Sequence, residues 1–265
     1  MKIFVLTKKN IVFYSVMLLV AIGIFTSRWD SSVYVFNQSN ASNPLPIYCV
    51  DKSDEKVCAI SFDAAWGNED TEQLINILDE YKVKTTFFVV GSWVDKYPES
   101  VKALHDAGHE IMNHSNTHPH MTQISKEKMI SEIEECDRKI EAITGKEVSL
   151  FRPPYGDYNK DVVDTMIKQN HYTVQWSVDS LDWKDLTSEQ IHKRVTENIH
   201  PGAIVLFHNA AKNTPAALPQ ILKTLTEDGY KIVPVSELIY KDNYTIDHTG
   251  KQIPLTENKS GENIS

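Results

Sequence analysis

The sequence predicts an α/β fold, a distorted and incomplete (β/α) barrel with about seven parallel strands. Short apolar runs alternate along the chain with segments in which apolar residues recur at helical spacing. The apolar runs are not interrupted by regularly alternating polar residues, which is typical of parallel strands buried on both faces. Ionisable side chains follow several runs directly, at the strand ends where barrel proteins carry their chemistry.

The predicted strands are short runs, rich in aliphatic, β-branched or aromatic residues and bounded by polar or turn-forming residues. The first is a short apolar run with the sequence Val-Cys-Ala-Ile-Ser-Phe. In chain order the predicted strands span residues 57–62, 85–90, 109–112, 148–151, 172–178, 203–207 and 231–235.

The predicted helices lie between these strands and present their apolar residues on one face. The longest begins after Ser125, a favourable N-cap residue, and ends at Gly145. Thr187 and Gln190 form the sequence signature of a capping box for a later helix that reaches about residue 199. The other helices are predicted around residues 74–78, 94–104, 159–170 and 215–228.

The two ends of the chain differ in character from the repeating region. Lys8 and Lys9 precede an apolar run at 11–25, so residues 1–28 are predicted to be a signal peptide or a membrane anchor. The leading lysines favour a cytoplasmic N-terminus, which places the rest of the protein outside the membrane. The predicted organisation is completed by a linker at 29–54, a catalytic domain at 55–240 and a polar, poorly ordered tail at 241–265.

Composition excludes two classes of function. The formal net charge is -9, so the chain lacks the basic surface that nucleic-acid binding requires. Cys49, Cys58 and Cys136 form no CxxC pair, which argues against a thiolate zinc site. Pairing of Cys49 with Cys58 stays open, and Cys136 is expected to be a core residue.

Polar and ionisable residues follow five of the predicted strands. Because the carboxyl ends of parallel strands meet at one edge, these residues are expected to converge there. Burying so many charges without partners would be costly, so a functional site is predicted. The residues are Asp63, His114, His118, Arg152, Pro153, Pro154, Tyr155, Asp179, Asp182, Trp183 and His208.

The same residues resemble a known family. In order, they resemble the five motifs of the polysaccharide deacetylases, also called NodB-homology or carbohydrate esterase family 4 proteins, and especially the peptidoglycan-directed and sporulation-associated branches. The resemblance covers about residues 55 to 240. The motifs are Ser61-Phe62-Asp63, His114-Ser115-Asn116-Thr117-His118, Arg152-Pro153-Pro154-Tyr155, Asp179-Ser180-Leu181-Asp182-Trp183 and Leu206-Phe207-His208.

The first three motifs predict a base and a metal site. His114 and His118 are four residues apart, so one turn can aim both imidazoles at a divalent ion, for which zinc is expected and cobalt or nickel are suitable. Asp63 is the predicted general base towards a water activated by that ion. Arg152 is expected to hold Asp63 in place, although an ordinary ion pair would look the same in the sequence.

The remaining roles follow from the resemblance. It implies that the backbone N–H of Tyr155 stabilises the oxyanion, and that His208 is the general acid, held and charged by Asp179. Leu206 is expected to line the pocket for the acetyl methyl group. Trp183 and Trp66 are expected to contact the sugar, with a half-buried core position as the alternative for each.

Ala64 departs from the family pattern. The resemblance implies an aspartate ligand for the metal at this position, and a methyl group cannot coordinate a cation. One interpretation is weaker metal binding with more water. Another is replacement by a nearby group, for which the candidates are Asp63, Asn68, Glu69 and Asp70.

The sequence therefore predicts a metal-dependent hydrolase that removes N-acetyl groups from a cell-wall polysaccharide outside the membrane, peptidoglycan in particular. Two alternatives stay open: a degenerate, non-catalytic glycan-binding protein and an O-acetyl esterase acting on a glycan. The joint presence of the base with its arginine and of the acid with its aspartate favours catalysis. No GxSxG motif is present, which argues against a serine hydrolase.

Overall fold

The computed structural model describes residues 44–255, which form strands flanked by helices. The strands are β1 (Cys49–Val50), β2 (Val57–Ala64), β3 (Thr86–Val89), β4 (Glu110–Asn113), β5 (Leu150–Phe151), β6 (Tyr172–Thr173), β7 (Val178–Asp179), β8 (Ile204–His208), β9 (Lys231–Ile232), β10 (Tyr244–Ile246) and β11 (Lys251–Pro254). The helices are α1 (Thr71–Glu80), α2 (Gly91–Lys96), α3 (Pro98–Asp106), α4 (Lys126–Thr144), α5 (Lys160–Lys168), α6 (Ser188–Asn198), α7 (Thr214–Glu227) and α8 (Val235–Leu238).

The main sheet is parallel and has the strand order β6-β5-β4-β3-β2-β8-β7, with β9 pairing to the start of β2. Its edge strands, β6 and β7, are consecutive along the chain, so one segment supplies both edges of a curled sheet. The predicted incomplete barrel of about seven parallel strands is confirmed.

The prediction of one continuous strand at 172–178 is wrong. Residues 172–173 pair with β5, whereas residues 178–179 pair with β8 at the opposite edge of the sheet. The residues between them cannot satisfy both ladders at once. Instead, Val174 forms a bridge with Ile47, a residue of the predicted linker.

The helix termini follow the predicted capping chemistry. The Ser125 hydroxyl accepts a hydrogen bond from the Lys128 backbone N–H at the start of α4, and Gly145 ends the helix in the left-handed conformation with φ 64°. Thr187 and Gln190 form the complete capping box of α6. These local signals were therefore sufficient to place both ends of α4 and the start of α6.

The main core lies between the sheet and its helices. Phe62, at the centre of β2, stacks on Phe87 of β3 with ring centroids 4.7 Å apart and on Phe207 of β8 at 5.6 Å. This aromatic layer ties the three central strands together on their helix-facing side. A second, smaller core under the site contains Met121, Met129, Ile133, Phe151, Val162 and Met166.

The folded domain extends beyond the predicted boundaries at 55 and 240. The strands β1, β11 and β10 form a small second sheet, in which β1 is parallel to β11 and β10 is antiparallel to it. The predicted linker is therefore folded from residue 44 onward, and the predicted poorly ordered tail is wrong up to residue 255. The remaining parts of both segments, and the predicted signal peptide or anchor at 1–28, lie outside the described residues.

A turn at residues 247–250 orders the tail. The Asp247 carboxylate accepts hydrogen bonds from the Thr249 N–H and hydroxyl and from the Lys251 N–H. Gly250 has φ 83°, in the left-handed region where glycine carries no steric penalty. The Asp-His-Thr-Gly sequence between two short β-rich runs is a hairpin signal that the sequence interpretation missed.

The described cysteines are free thiols. Cys49, Cys58 and Cys136 are all buried, so Cys49 and Cys58 do not form the disulfide that the sequence left open. Burial raises the pKa of Cys58 to about 12 and also raises that of Cys136.

Within residues 44–255, no helix combines the length and the apolar character needed to cross a bilayer.

We expect Gly202→Ala to destabilise the domain much more than Gly145→Ala. Both glycines have positive φ, at 76° and 64°, so both variants incur about 1–2 kcal/mol of backbone strain. A Cβ at Gly202 would also lie 1.7 Å from the Val50 carbonyl oxygen, whereas a Cβ at Gly145 meets nothing within 4 Å. Gly202→Ala should therefore lose at least about 3 kcal/mol in denaturant unfolding.

Equal losses in the two variants would show that the close approach of Gly202 to Val50 contributes nothing to stability. Because the Val50 N–H donates to the Gly202 carbonyl at 2.9 Å, the comparison also measures how strongly the small sheet is joined to the barrel.

Candidate active site

The C-terminal ends of the parallel strands bring the predicted site residues to one rim. Asp63 on β2 and His208 on the neighbouring β8 are register partners, so both side chains belong to the same side of the sheet. Directly after β4 comes His114, and directly after β5 comes Arg152. The predicted convergence is therefore found for four separate segments.

Asp63 and Arg152 form a buried ion pair at the centre of this rim. The Arg152 Nη1 donates to Asp63 Oδ1 at 2.8 Å, and its Nη2 donates to the Ser61 hydroxyl at 2.8 Å and to the Gln175 carbonyl at 3.2 Å. The guanidinium is fully buried and lies 4.1 Å from the centroid of the Phe88 ring. The predicted pairing of the arginine with the base is present.

This pairing keeps Asp63 ionised. Burial alone would raise the pKa of the Asp63 carboxyl, but the charge of Arg152 and its hydrogen bond, with a contribution from His208, bring it below its ordinary value. A carboxylate that is ionised at neutral pH is able to accept a proton from water.

His114 and His118 lie side by side, with ring centroids 5.0 Å apart. His114 Nδ1 is 2.7 Å from the Arg152 carbonyl oxygen, and because a carbonyl only accepts, this nitrogen carries the proton. The Nε2 lone pair of His114 is then free to bind a cation, and this atom lies 3.5 Å from Asp63 Oδ2.

Both imidazoles are neutral at pH 7. Burial lowers the pKa of His114, and burial together with the neighbouring His114 lowers that of His118 to about 4. Neutral imidazole is the form that binds metal, so the electrostatics of the pair suit a divalent cation.

Helix α4 holds the loop that carries the two histidines. The fully buried Glu132 accepts hydrogen bonds from the Thr117 N–H at 2.7 Å and from the Thr117 hydroxyl at 2.8 Å. The loop contains two residues in the left-handed region, Ser115 with φ 68° and His118 with φ 60°. The Ser115 hydroxyl accepts from the His118 N–H at 3.0 Å, which helps to hold this strained backbone.

The sequence interpretation did not identify Glu132. A signal was present, because Glu132 lies four residues before Cys136 on the helix face that was predicted to be apolar. A carboxylate on a buried helix face needs hydrogen-bond donors, and here the histidine loop supplies them.

Two neighbouring imidazoles, those of His114 and His118, could hold a metal ion at this site. Within the part of the chain that the structure describes, no three His, Cys, Asp or Glu side chains are arranged to hold an ion together. Ala64, at the position of the expected aspartate, is fully buried in the main core. The chemistry of His114 and His118 suits a cation such as zinc, and the remaining coordination positions would fall to water or substrate.

The candidates for a replacement ligand have other partners. Asn68 donates its side-chain amide to the Ser100 hydroxyl at 3.1 Å. Glu69 accepts from the Asn68 backbone N–H, and Asp70 accepts from the Ala210 backbone N–H at 2.8 Å. Among the four candidates, Asp63 is the one that contacts a histidine of the pair, with its Oδ2 3.5 Å from His114 Nε2.

Asp182, rather than Asp179, holds His208. Asp182 Oδ1 lies 2.8 Å from His208 Nδ1, while its Oδ2 accepts from the His208 backbone N–H at 2.8 Å and from the Thr214 hydroxyl at 2.7 Å. The Asp179 carboxylate instead accepts from the Leu181 N–H at 2.9 Å, so the prediction that Asp179 holds His208 is wrong, although its charge still contributes to the His208 pKa. Leu181 has φ 54°, and the turn that it begins brings Asp182 beneath the histidine.

The Asp182 contact sets the protonation of His208. Burial lowers the pKa of His208, but the hydrogen bond and charge of Asp182, reinforced by Asp63 and Asp179, raise it above its ordinary value. His208 therefore keeps its proton to a higher pH than an ordinary histidine, which suits a proton donor. Asp179 and Asp182 are three residues apart in the sequence, and the path of the turn determines which of them reaches His208.

Three aromatic side chains at the rim face solvent. Trp66, Tyr155 and Trp183 are 59%, 60% and 56% exposed, so the core alternative does not apply to the two tryptophans. Trp93 is a core residue whose indole N–H donates to the Trp66 carbonyl at 3.0 Å. Leu206 is buried and lies two residues before His208 on β8, so its contact with an acetyl group stays a prediction.

The geometry brings a carboxylate, Asp63, and an imidazole, His208, to one rim, and each has its own buried partner. Residues 51–175 match the polysaccharide deacetylase family. The chain is 38% identical over 192 residues to a Bacillus cereus peptidoglycan-N-acetylglucosamine deacetylase, covering 71% of this chain and 90% of that protein. The chain belongs to the polysaccharide deacetylase family.

Other relatives are longer. The chain is 33% identical to YlxY of Bacillus subtilis, covering 74% of this chain and 61% of YlxY. It is 36% identical to the B. subtilis peptidoglycan-N-acetylmuramic acid deacetylase PdaC, covering 69% of this chain and 39% of PdaC. The chain thus spans less than two thirds of either relative.

The fold is also similar to that of BA3943 from Bacillus anthracis, described as a CE4 family pseudoenzyme. The TM-score is 0.72 at 34% identity, covering 79% of this chain and 73% of that protein. A BA3943 mutant described as having restored enzymatic activity matches with the same TM-score at 37% identity, covering 75% of this chain and 72% of that protein. Membership in the family is therefore compatible with either an active or an inactive site.

We expect Asp182→Asn to lower the pKa of His208, measured by NMR titration of the imidazole. Asparagine keeps one acceptor oxygen for the His208 ring but removes the negative charge, so burial then dominates and the pKa falls below the ordinary histidine value of about 6.5. Asp179→Asn is the control, because the Asp179 carboxylate binds a backbone N–H and should change the pKa little. Equal shifts in the two variants would contradict the assignment.

The raised pKa of His208 also makes the stability of the fold depend on pH. Because folding raises the pKa of His208, the pair stabilises the fold fully below the unfolded-state pKa, and this contribution is lost as the pH rises through the folded-state value. Because Asp182→Asn is expected to bring the folded-state pKa of His208 below its unfolded-state value, the variant should reverse this pH dependence and gain stability as the pH rises.

Proposed function

We propose that this chain hydrolyses N-acetyl groups on the amino sugars of peptidoglycan. The observation that carries the proposal is the retention of both acid–base pairs in one rim, Asp63 with Arg152 and His208 with Asp182. A protein that only binds glycan has no use for a base held ionised beside an acid held protonated. The names of the relatives supply the substrate class.

In the proposed reaction, Asp63 takes a proton from the attacking water while the acetyl carbonyl oxygen becomes negatively charged. The Tyr155 backbone N–H donates to this oxygen. His208 then gives its proton to the nitrogen of the sugar as the carbon–nitrogen bond breaks, so the products are acetate and a free amine. Arg152 and Asp182 hold the base and the acid in their required protonation states.

His114 and His118 would hold the divalent cation, which when bound polarises the carbonyl and lowers the pKa of water. The predicted identity, zinc with cobalt or nickel as substitutes, rests on the preference of these ions for imidazole. Two neutral ligands leave the cation less neutralised than two histidines and a carboxylate would. We therefore propose weak metal binding with catalysis retained.

The exposed aromatic side chains support sugar binding beside these groups. Trp66 and Trp183 present large exposed faces of the kind on which sugar rings stack. Leu206 is proposed to contact the acetyl methyl group.

The apolar N-terminal segment after Lys8 and Lys9 leads us to propose an extracytoplasmic location. The test is whether protease added to intact protoplasts digests the domain.

A second candidate function is non-catalytic binding of the same glycan. It is favoured by Ala64, which leaves the histidine pair without a third protein ligand, and by the similarity to a protein described as a pseudoenzyme. The two candidates share the substrate and differ in whether acetate is released.

We expect Asp63→Asn and His208→Ala each to lower deacetylation by about 10²–10⁴-fold, the usual contribution of a positioned base or acid. Release of acetate from peptidoglycan fragments, with mass spectrometry of the products, measures the effect at saturating zinc. Circular dichroism provides the control for folding, because Asp63 is the partner of the buried Arg152. Near-wild-type turnover in either folded variant would contradict its role.

We expect Ala64→Asp to tighten zinc binding at least about tenfold, since even outer-shell partners change metal affinity by that factor. Calorimetric titration of metal and activity against metal concentration are the measurements. Ala65→Asp is the matched control, because it adds the same charge at a more exposed neighbouring position. Thermal unfolding tests whether the buried site accepts the carboxylate.

The outcomes separate the two functions. Wild-type turnover that chelators abolish and excess zinc restores supports the enzyme. Turnover in Ala64→Asp alone, with glycan binding by both proteins, supports the binding protein. Full affinity in the wild type with no gain in Ala64→Asp would show that another residue occupies the ligand position.

A further inference from the structure

The backbone of Tyr155 is held in an uncommon conformation. Tyr155 lies in the turn Pro154–Gly156 with φ 61° and ψ 7°, in the left-handed region that a bulky residue adopts at a cost. Such a conformation persists only where its surroundings enforce it. The proposed function uses the N–H of this residue, so the contacts that fix it bear on catalysis.

The ring of Tyr155 packs between two imidazoles outside the core. His118 meets it edge-on with centroids 4.5 Å apart, and His120 stacks on it at 4.2 Å with an interplanar angle of 18°. Because the Tyr155 side chain is 60% exposed, these contacts supply much of what orients it. His118 already has a proposed role as a metal ligand, whereas no motif gives His120 a role.

His120 is itself anchored on both sides. Its Nδ1 lies 3.4 Å from Asp157 Oδ2, and that oxygen accepts a hydrogen bond from the Thr122 hydroxyl at 2.5 Å. The next residue, Met121, is fully buried in the smaller core. The imidazole is thus held over the Tyr155 ring from the solvent side.

The opposite side of the turn is fixed from within the barrel. The Gln175 side-chain amide donates to the Gly156 carbonyl at 3.0 Å, and the Gln175 carbonyl accepts from Arg152. The turn is therefore held between an inner contact that reaches the Asp63–Arg152 pair and an outer contact made by His120.

We propose that His120, supported by Asp157, is a positioning residue that holds the Tyr155 N–H towards the reacting carbonyl oxygen. This inference rests on the proposed function. The hydrogen bond to the oxygen strengthens as negative charge develops, so losing the alignment should lower kcat and leave KM unchanged. His120 acts here through ring stacking, so an uncharged aromatic ring should replace it.

The test compares His120→Ala and His120→Phe in the full chain at saturating zinc. We expect His120→Ala to lower kcat about five- to tenfold at unchanged KM, the effect of one lost aromatic contact, and His120→Phe to restore most of it. His105→Ala, at a partly exposed histidine on α3, is the matched control and should change neither constant.

A second readout does not require activity. The Gly156 N–H donates to the Pro153 carbonyl at 3.0 Å, so its hydrogen exchange should become faster in His120→Ala and return towards the wild-type rate in His120→Phe. If the wild-type protein releases no acetate, the proposed function fails, whereas this exchange measurement still decides whether His120 fixes the turn.

Three results would overturn the inference. A rise in KM at unchanged kcat would assign His120 to glycan binding. A loss in His120→Phe equal to that in His120→Ala would exclude stacking as the cause. A weaker zinc affinity in calorimetry of His120→Ala would show that it acts through His118 instead.

Discussion

The buried ion pair between Arg152 and Asp63 constrains both halves of the site. The guanidinium keeps Asp63 ionised, and the backbone carbonyl of the same arginine fixes the proton of His114 on Nδ1. Arg152 also binds Ser61 and the Gln175 carbonyl, so its guanidinium is fixed by β2 and by the segment that joins the two edges of the sheet. Removing one partner of such a pair leaves a buried charge unpaired, which typically lowers the free energy of unfolding by about 3–5 kcal/mol.

A second constraint separates the base from the acid. Asp63 and His208 are register partners on adjacent strands, yet their pKa values move in opposite directions because each has its own partner. Neither pair involves position 64, which explains how Ala64 can coexist with both of them. The histidine loop, held by Glu132, keeps the two imidazoles together even though no carboxylate joins them.

The sequence predicted the fold well because its signals are local. Alternating strands and helices, the caps at Ser125 and Gly145 and the capping box at Thr187 each depend on a few neighbouring residues. The predictions were wrong where pairing between segments far apart in the sequence determines the structure. The run at 172–178 is apolar enough for one strand, but its two ends pair with opposite edges of the sheet. The polar tail appeared unordered because β11 completes its sheet with β1, about two hundred residues earlier in the chain.

The sequence by itself determined which chemistry the rim carries, since Asp63, Arg152, the two histidines and His208 all follow strands whose carboxyl ends must meet. It also determined the missing ligand at Ala64. Only the tertiary structure decided which partner each group has. A left-handed residue before Asp182 turns that carboxylate, and not Asp179, beneath His208. Hydrogen bonds depend on distances of tenths of an ångström and on direction, and residue spacing along a folded turn specifies neither.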